Sequence, residues 1–344
     1  MADPLRIATF NTELSRDGPG LLLRDILRAD DPQVIAVIDV ITTNAPDILL
    51  LNSFDYDLNL VALTALRDSI AAKGLHYPYM FALRPNSGIT TGLDMDGDGF
   101  LGGPRDNQGY DRFAGQGGMA LLSRYPIETD KVRDFSSFLW RDLSGALLPM
   151  HENTPFPSPE AQRIQRLSSV AHWDVPIAVP KFGTIHLLAF HATPPVFDGP
   201  EDRNGRRNHD EVRFWQRYLD GVLFPPPPEQ FIILGDANID PTDGDGLKMA
   251  INALLADRRL QDPMPKSNNT TLQNPDHSGD PALDTVDWTD PVPGNLRVDY
   301  ILPSTNFTIL NTGIYWPNSD VEAATIAALA SRHRLVWVDL LPPR

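Results

Sequence analysis

The sequence predicts an α/β fold in which strand and helix layers pack around a partly antiparallel sheet. Short apolar runs typical of strands recur from the beginning to the last residues of the 344-residue chain. Some of these runs alternate with amphipathic helices and others follow one another directly, a pattern typical of layered folds with mixed sheets. The hydrophobic content of 42% is sufficient to bury a core and excludes a disordered chain.

The first part of the chain predicts alternating strands and helices. Leu5–Phe10 is a predicted strand, and Asp31–Asn44 is a predicted helix because its valines and isoleucines recur at helical spacing. Ile48–Phe54 is a continuous apolar run, which is typical of a buried strand. Val61–Lys73 predicts a second helix that stops at Gly74, because glycine readily takes the left-handed conformation that follows many helices.

Strand patterns dominate the rest of the chain. One helix is predicted at Asn208–Asp220, with Asn208 as its N-cap and Glu211 at the third position of a capping box. Further strands are predicted at Met119–Ser123, Leu167–Val170, Thr184–His191, Phe231–Gly235, Leu296–Leu302 and Leu335–Leu340. Because several of these strands follow one another without an intervening helix, part of the sheet is expected to be antiparallel.

The chain carries no mark of a domain boundary. No linker, repeat or charge block divides it, so residues 1–344 are predicted to form a single domain. Three long loops, at 84–118, 141–163 and 262–295, are rich in Gly, Pro, Asn and Asp. Loops of this length in a compact domain are usually functional or held by a ligand.

The charge balance limits the classes of partner. With 29 basic and 45 acidic side chains, the formal net charge is −16, so the surface repels polyanions and attracts divalent cations. A generic nucleic-acid binder is therefore disfavoured. The apolar runs fall far short of the roughly 20 residues that a transmembrane helix needs.

Cysteine is absent, which excludes disulfides, thiolate catalysis and cysteine zinc sites. Such a chain suits oxidising conditions, and we expect a secreted or periplasmic protein, with the cytoplasm as the alternative. The first residues show no signal peptide and lead almost directly into the first predicted strand. An export signal removed beforehand is compatible with this expectation.

Polar residues collect at the ends of the apolar strands, where an α/β scaffold normally builds a site. Each segment alone is typical of a cap or a turn, but six of them in one chain favour a shared site. In chain order the segments are Phe10–Glu13, Asn52–Asp55, Phe190–Thr193, Gly235–Asn238, Val298–Tyr300 and Ser331–His333.

This order resembles the endonuclease/exonuclease/phosphatase superfamily, and the resemblance covers nearly the whole chain. Gly235–Asn238 is similar to the family's Gly-Asp-x-Asn motif, Arg297–Ile301 to its Asp-Tyr strand, and Ser331–His333 to its terminal Ser-x-His. The resemblance implies a four-layer sandwich of two packed mixed β-sheets flanked by helices. It also implies metal-assisted hydrolysis of a phosphoester.

The residue types in these motifs suit attack on a phosphoester, which needs a positioned water and donors or cations on the non-bridging oxygens. We expect Asp236 to orient or deprotonate the water and Asn238 to donate to a phosphoryl oxygen. His333 is expected to donate to the same phosphate, held and kept protonated by Asp299. His191, at a strand tip, is a candidate second donor.

Mg²⁺ or Mn²⁺ is the active-site ion that the resemblance implies. Asn11 and Glu13 stand two residues apart, so on a continuing strand both side chains point to one face, as a metal pair requires. Asp55 is a further candidate ligand at the end of the next predicted strand.

Two positions depart from the family pattern. Ser53 stands where the family usually has a glutamate that is its principal metal ligand, and Arg332 stands where the terminal motif usually has aspartate. A ligand shifted to Asp55, which shares the strand parity of Ser53, is one solution. The other is that Arg332 neutralises Glu13 or supplies the positive charge of a metal, since a guanidinium fork matches a phosphate.

A calcium-type loop is predicted at residues 94–106. Asp94, Asp96 and Asp98 stand at positions one, three and five, and a glycine follows at position six, as in the first half of an EF-hand loop. Position twelve is Arg105 instead of the usual glutamate, and no flanking helices are evident. We expect a Ca²⁺-ordered loop rather than a sensor; the alternative is an acidic, glycine-rich turn.

Four arginines are candidate contacts of a substrate phosphate. Arg203, Arg206 and Arg207 precede the helix predicted at Asn208–Asp220, where they are placed to hold a phosphate near its N-terminus. Arg332 is the fourth candidate. The alternative for the first three is a salt-bridged loop with the neighbouring acidic residues.

Three functions are weighed on this basis. The first is hydrolysis of a phosphoester, as a phosphodiesterase or phosphatase, with a small-molecule or lipid-derived substrate preferred to nucleic acid because of the net charge of −16. The second is a catalytically silent relative that binds a phosphorylated ligand or calcium, motivated by Ser53 and Arg332. The third is a nuclease, for which the sequence has no basic stripe interleaved with aromatic residues.

Overall fold

A computed structural model of the chain describes residues 4–268 and 274–342. The strands are β1 Leu5–Leu14, β2 Ile48–Phe54, β3 Tyr79–Phe81, β4 Gly118–Ser123, β5 Arg133–Asp134, β6 Met150–His151, β7 Thr154–Pro155, β8 Ala171–Val179, β9 Gly183–His191, β10 Phe231–Asp236, β11 Asp299–Pro303, β12 Thr308–Ile314 and β13 Val336–Leu341. The α-helices are α1 Leu21–Arg28, α2 Pro32–Asn44, α3 Val61–Ala72, α4 Pro159–Ile164, α5 Arg203–Leu219, α6 Met249–Leu255 and α7 Val321–Ala330. Within the described residues, every helix is too short or too polar to cross a bilayer.

The longer strands form two mixed sheets. The first has six strands in the order β12-β13-β1-β2-β4-β3, and the second has five in the order β11-β10-β9-β8-β5. Each sheet contains one parallel pair, β1 with β2 and β9 with β10, and its other neighbours are antiparallel. Strands β6 and β7 form a separate hairpin. The predicted combination of parallel and antiparallel pairing is therefore present in both sheets.

The two sheets pack face to face around a central core. Ile7 and Ile48 of the first sheet belong to the same apolar cluster as Leu187 and Leu234 of the second. A second cluster fills the space between the outer face of the first sheet and helices α1, α2 and α3. A third lies between the second sheet and helices α5 and α6. The result is four layers, which confirms the predicted fold class.

Strand periodicity decides which side chains enter the central core. On β1, Ile7 belongs to the central cluster and Ala8 to the outer one. On β10, Leu234 belongs to the central cluster and Ile233 to the outer one. Because side chains alternate along a strand, the same parity continues into the polar residues at the strand ends.

Several elements match their predicted bounds. β2 occupies Ile48–Phe54 as predicted, and β9, β10 and β13 agree with their predicted spans to within one residue. Helix α2 begins at Pro32 because the carboxylate of Asp31 accepts a hydrogen bond from the N–H of Val34. β11 begins at Asp299 rather than Leu296.

The predicted strand at Leu167–Val170 is wrong, since the strand β8 begins only at Ala171. In this segment, side chains of α5 form hydrogen bonds with main-chain groups that would otherwise pair with a neighbouring strand. The guanidinium of Arg207 donates to the carbonyl of Leu167, and the carboxylate of Glu211 accepts a hydrogen bond from the N–H of Ser169.

The predicted start of the helix at Asn208 is also wrong, because α5 begins at Arg203. The carboxylate of Asp198 accepts the N–H of Asn204, which satisfies a donor of the first turn at this earlier position. Asn208 is buried inside the helix, where its side-chain amide donates to the carbonyls of Thr193 and Ala237.

Candidate active site

The polar strand ends converge at one end of the central core. Asn11 on β1 has the parity of core-facing Ile7, and Asp236 on β10 has the parity of core-facing Leu234. In the second sheet, the register pairs Asp236 with Asp299 on one side and with His191 on the other. All four polar side chains therefore point into the same space between the sheets.

His333 joins this group from the segment that precedes β13. Its Nδ1 lies 2.9 Å from Oδ2 of Asp299, and its Nε2 lies 3.4 Å from Nδ2 of Asn11. Asn11 Nδ2 donates to Oδ2 of Asp236 at 2.8 Å, and Nε2 of His191 lies 3.5 Å from the same oxygen. The structure thus brings together five of the predicted catalytic residues in one buried polar network.

The local backbone around Asp236 explains its Gly-Asp-x-Asn sequence. Gly235 has φ 137°, and a Cβ at this position would lie 1.9 Å from the carbonyl oxygen of Phe190, so only glycine fits between β10 and β9. Asn238 has φ 49°, and its N–H donates to Oδ1 of Asp236 at 2.8 Å. Its side-chain amide donates to the carbonyl of Ala192 at 2.9 Å. The main chain of Asn238 therefore holds Asp236, while its side chain, which was expected to donate to a phosphoryl oxygen, donates to the main chain at Ala192.

Two residues outside the strand-end motifs, Thr285 and Trp288, also build the site. Thr285 Oγ1 donates to Oδ2 of Asp299 at 2.9 Å and accepts the N–H groups of Val298 and Asp299. Trp288 meets His333 edge to face, with ring centroids 5.5 Å apart. Neither residue belongs to a recognisable motif, and only the contacts reveal them.

The pKa values of the two histidines in the site are shifted in opposite directions. Burial lowers the pKa of His333, but the carboxylates of Asp299 and Asp236 outweigh this and raise the pKa to about 9. Burial and the charge of His333 lower the pKa of His191 to about 3. Burial and Asp299 raise the pKa of Asp236 to about 7. At neutral pH, His333 is therefore the cationic imidazole and His191 the neutral one.

Glu13 does not continue the regular strand geometry on which the expected pairing of its side chain with Asn11 depends. Glu13 has φ 49°, and the pairing of β1 with β2 shifts register between Asn11 and Leu14. Glu13 Oε2 accepts the N–H of Arg332 at 2.8 Å, and Oε1 accepts Nε of Arg332 at 2.8 Å. Burial raises the pKa of Glu13, but the hydrogen bonds from Arg332 outweigh it and lower the pKa. Arg332 neutralises Glu13, one of the two alternatives for this arginine, and its guanidinium lies 4.3 Å from the centre of the Trp288 ring.

Asp55 and Glu13 have different hydrogen-bond partners. Its carboxylate accepts the N–H groups of Arg16 and Gly117, each at 2.9 Å, and burial raises its pKa. Ser53, which has φ 53°, lines a cavity beside the site. Glu13 and Asp55, the two carboxylates expected to be metal ligands, thus make separate contacts.

A different set of side chains has the spacing of a metal site. Ligand atoms of Asp236, Asp299 and His333 all lie within 4.8 Å of one another. Oδ1 of Asp299 is buried and has no hydrogen-bond partner among the described residues. Carboxylate oxygens are the ligands that Mg²⁺ and Mn²⁺ prefer, so Asp236 and Asp299 fit a hard divalent cation, whereas the cationic imidazole of His333 cannot ligate one.

The calcium-type loop differs from its predicted ligand set in one residue. Ligand atoms of Asp94, Asp96 and Asp106 lie within 4.8 Å of one another. Asp98 is exposed and is not part of this group; its Oδ1 accepts the N–H of Phe100 instead. Asp106, next to position twelve, is buried and takes its place.

The arginines of α5 also differ from their predicted role. Arg206 donates to the carbonyl of Glu201 and lies 4.0 Å from the carboxylate of Asp202, as in the salt-bridged alternative. Arg207 lines the cavity beside His191 but is buried. Its guanidinium donates to the carbonyls of Gln108, Arg166, Leu167 and Ser168.

Comparison with known proteins agrees with this architecture. The model of the Endonuclease/Exonuclease/phosphatase family matches residues 8–333. No protein of curated function matches the chain in sequence. The chain is similar in structure to an endonuclease/exonuclease/phosphatase from Beutenbergia cavernae DSM 12333, with a TM-score of 0.57, 19% identity, and coverage of 99% of this chain and 72% of that one.

Two further solved structures share the fold. An endonuclease/exonuclease/phosphatase family protein from Leptotrichia buccalis C-1013-b has a TM-score of 0.51 and 15% identity, covering 98% of this chain and 99% of that one. Sphingomyelinase C from Streptomyces griseocarneus has a TM-score of 0.50 and 16% identity, with the same two coverages. At these identities the structures establish the fold alone. The family match spans nearly the whole sequence, and the chain therefore belongs to the endonuclease/exonuclease/phosphatase family, whose general activity is phosphoester hydrolysis.

Proposed function

We propose that this protein hydrolyses a phosphoester at the network of Asn11, Asp236, Asp299, His191 and His333. The observation that carries this proposal is the close approach of two buried pairs at the end of the central core. Asn11 donates to Asp236, His333 pairs with Asp299, and Nε2 of His333 lies 3.4 Å from Nδ2 of Asn11. Such a group needs no partner outside the chain to be held in place, which is the pre-organisation that catalysis of phosphoryl transfer requires.

Each residue has a distinct proposed role. Asp236 orients the attacking water and accepts its proton, with Asn238 fixing the carboxylate. His333, aligned by Asp299 through Nδ1, donates from Nε2 to a non-bridging phosphoryl oxygen. Asn11 and His191 are further donors beside Asp236.

Mg²⁺ or Mn²⁺ is the proposed metal, and Asp236 and Asp299 are the carboxylates that would hold it. The unpartnered, buried Oδ1 of Asp299 supports this assignment over the pair of Glu13 and Asp55. When bound, such an ion would polarise a phosphoryl oxygen and offset the negative charge that develops on it.

A small-molecule or lipid-derived phosphoester is the proposed substrate class. The net charge of −16 disfavours a polyanionic substrate that would spread over the surface. A compact phosphoester needs only the local cations of the site. Cleavage of plasmid DNA that weakens steeply with added salt would instead indicate a nuclease.

The test is turnover of p-nitrophenyl phosphate and bis-p-nitrophenyl phosphate with Mg²⁺, Mn²⁺, Ca²⁺ or chelator. We expect turnover with Mg²⁺ or Mn²⁺ that falls at least about 100-fold in Asp236→Ala and in His333→Ala. Asp130→Ala and His151→Ala, which change surface residues outside the network, serve as matched controls. Absence of turnover with every metal would contradict the proposal.

A second candidate function is phosphate binding without turnover. The ion pair of Glu13 with Arg332 favours it, because a family position normally occupied by an acidic residue here neutralises another carboxylate. Calorimetric titration with inorganic phosphate separates the two functions. Binding that His333→Ala abolishes, in a protein inactive with every metal, would support the silent relative.

Ca²⁺ is the proposed ligand of the loop at residues 94–106. Carboxylate oxygens of Asp94, Asp96 and Asp106 lie within 4.8 Å of one another. Burial raises the pKa of Asp96, and the charges of Asp98 and Asp106 raise it further. A hard divalent cation would relieve this repulsion.

A further inference from the structure

A cavity of about 500 Å³ lies beside the catalytic network. His191 of that network and Ser53 are among the residues that line the cavity. A phosphate group alone fills only a small part of such a volume, which is typical of pockets that take a whole small ligand. The rest of the cavity is therefore available to the organic part of a substrate.

Three arginines line this cavity, namely Arg105, Arg203 and Arg207. Within the described residues, none of them has a carboxylate oxygen within ion-pair distance, whereas nearby Arg206 pairs with Asp202. Arg207 uses its guanidinium on main-chain carbonyls, and Arg203 donates to the carbonyl of Met95.

Of the three arginines, Arg105 has the fewest hydrogen-bond partners among the described residues. It is exposed, and no side-chain hydrogen bond of its guanidinium forms within residues 4–268 and 274–342. The guanidinium of Arg203 is attracted by the carboxylates of Asp96, Glu201 and Asp198, none of which is within ion-pair distance, and it is repelled by the guanidinium of Arg105. An anion between them would relieve that repulsion.

One carboxyl group lines the cavity together with these arginines, that of Asp111. Burial together with Asp55 raises the pKa of Asp111 to about 8, so this group is mostly protonated at pH 7. Tyr110 and Phe197, which are 61% and 75% exposed, stand at the same cavity and offer aromatic surface to an organic group.

We propose that Arg105 and Arg203 bind a second anionic group of the substrate, a phosphate or a carboxylate, while the scissile phosphate lies beside Asp236 and His333. The position of the scissile group rests on the proposed function. The substrate class is therefore a phosphoester that carries another acidic group on a short organic body. Planar guanidinium groups bind both phosphate and carboxylate through paired hydrogen bonds.

The test measures binding rather than turnover, so that it remains informative if hydrolysis fails. Asp236→Asn, which blocks the proposed water activation, is titrated by calorimetry with alkanediol bisphosphates of two to eight carbons. Matched alkyl monophosphates and ω-carboxyalkyl phosphates form the two other series. We expect one chain length at which a doubly anionic ligand binds at least tenfold more tightly than its monophosphate.

Variants in the same Asp236→Asn background assign the gain to the cavity. Arg105→Gln, which removes an exposed side chain without hydrogen bonds, is expected to bring the affinity ratio to within twofold of one. Arg203→Lys keeps a positive charge beside Met95 and is expected to reduce the ratio in part. Arg206→Gln, just outside the cavity, is the control and is expected to keep the ratio.

The outcomes are separable. A larger gain for the bisphosphates than for the carboxylates identifies phosphate as the second group, and the reverse identifies a carboxylate. Equal affinity of doubly and singly anionic ligands at every length, or a gain that survives Arg105→Gln, would overturn the inference. A gain lost in Arg105→Gln, in a protein that hydrolyses no phosphoester, would retain the subsite and reject the proposed hydrolysis.

Discussion

Nδ2 of Asn11 donates a 2.8 Å hydrogen bond to Oδ2 of Asp236, a residue 225 positions further along the chain. Asn11 ends the core-facing row of β1 in the six-stranded sheet, and Asp236 ends that of β10 in the five-stranded sheet. The bond therefore joins the two sheets where their apolar core stops. Both side chains are buried, with 4% and 0% exposure, so the contact is protected from competing water.

Replacing Asp299 with asparagine is expected to lower kcat at least about 100-fold with little change in KM. The asparagine keeps the volume but lacks the charge that aligns Nδ1 of His333 at 2.9 Å. Thr285 can still hold the side chain through its hydroxyl. Steady-state kinetics on p-nitrophenyl phosphate check this, with Asp134→Asn as the surface control. An unchanged kcat would exclude Asp299 as the partner that aligns His333.

Replacing Arg332 with alanine separates its two proposed roles. The guanidinium is 58% exposed, so loss of the ion pair with Glu13 is expected to cost less than about 1 kcal/mol of unfolding free energy. If Arg332 also contacts the substrate phosphate, KM rises about tenfold, which is a typical loss for one charged hydrogen bond. Urea unfolding and KM are measured in parallel with Arg163→Ala, which removes a surface ion pair with Glu160. An unchanged KM would leave Arg332 as the partner of Glu13 alone.

Glu211 gives the protein a pH-dependent stability that can be isolated. Burial raises its pKa from 4.5 to about 7, although its carboxylate accepts the N–H groups of Ser169 and Thr193. Because the pKa is higher in the folded state, its contribution is fully present below about pH 4.5 and is lost as the pH rises through 7. Glu211→Gln stays neutral, so the stability of the wild type relative to this variant is expected to fall by about 3 kcal/mol between pH 4.5 and 8.

Urea unfolding of the wild type and Glu211→Gln at several pH values checks this expectation. Titrations elsewhere in the molecule cancel in the difference between the two proteins. Glu322→Gln, at an exposed position in α7, is the matched control and is expected to show no such trend. A difference that stays constant with pH would show that Glu211 does not titrate as described.

Calcium is expected to raise the melting temperature by several degrees, because a ligand that binds only the folded state stabilises it. Asp96→Ala is expected to abolish the rise, since Asp96 belongs to the group formed with Asp94 and Asp106. Asp98→Ala is expected to retain it, since Asp98 is exposed outside that group. The measurement is differential scanning calorimetry with Ca²⁺ or EGTA. A rise that Asp98→Ala removes would restore the EF-hand ligand set, and no rise would remove the calcium assignment.

Much of the architecture is legible in local patterns. The span of β2 and the cap of α2 at Asp31 follow from apolar periodicity and from one side-chain hydrogen bond. The segment at Leu167–Val170 does not, because Arg207 and Glu211 take its main-chain groups from a distant helix. The start of α5 differs from the predicted Asn208 for a similar reason. The carboxylate of Asp198, upstream of the helix, accepts a hydrogen bond from the N–H of Asn204 in the first turn.

Some residues of the candidate site can be found from the sequence, and others only from their contacts in the structure. Asp236, Asp299 and His333 stand in recognisable motifs at strand ends, and strand parity alone directs the first two toward the core. Thr285 stands in no motif, and its role follows only from its contact with Asp299. Likewise, nothing in the sequence around Arg105 indicates that it faces the same cavity as His191.

The amino-acid sequence by itself determined the layered fold, the order of the motifs and the residue types available for phosphoester chemistry. These depend on periodicity and on the conformational preferences of neighbouring residues, which are local properties. The tertiary structure alone decided the partner of each charge, because partners compete in space rather than along the chain. Glu13 was free to bind a metal on the strength of its sequence, but the left-handed turn of its backbone places it against Arg332, 319 positions away.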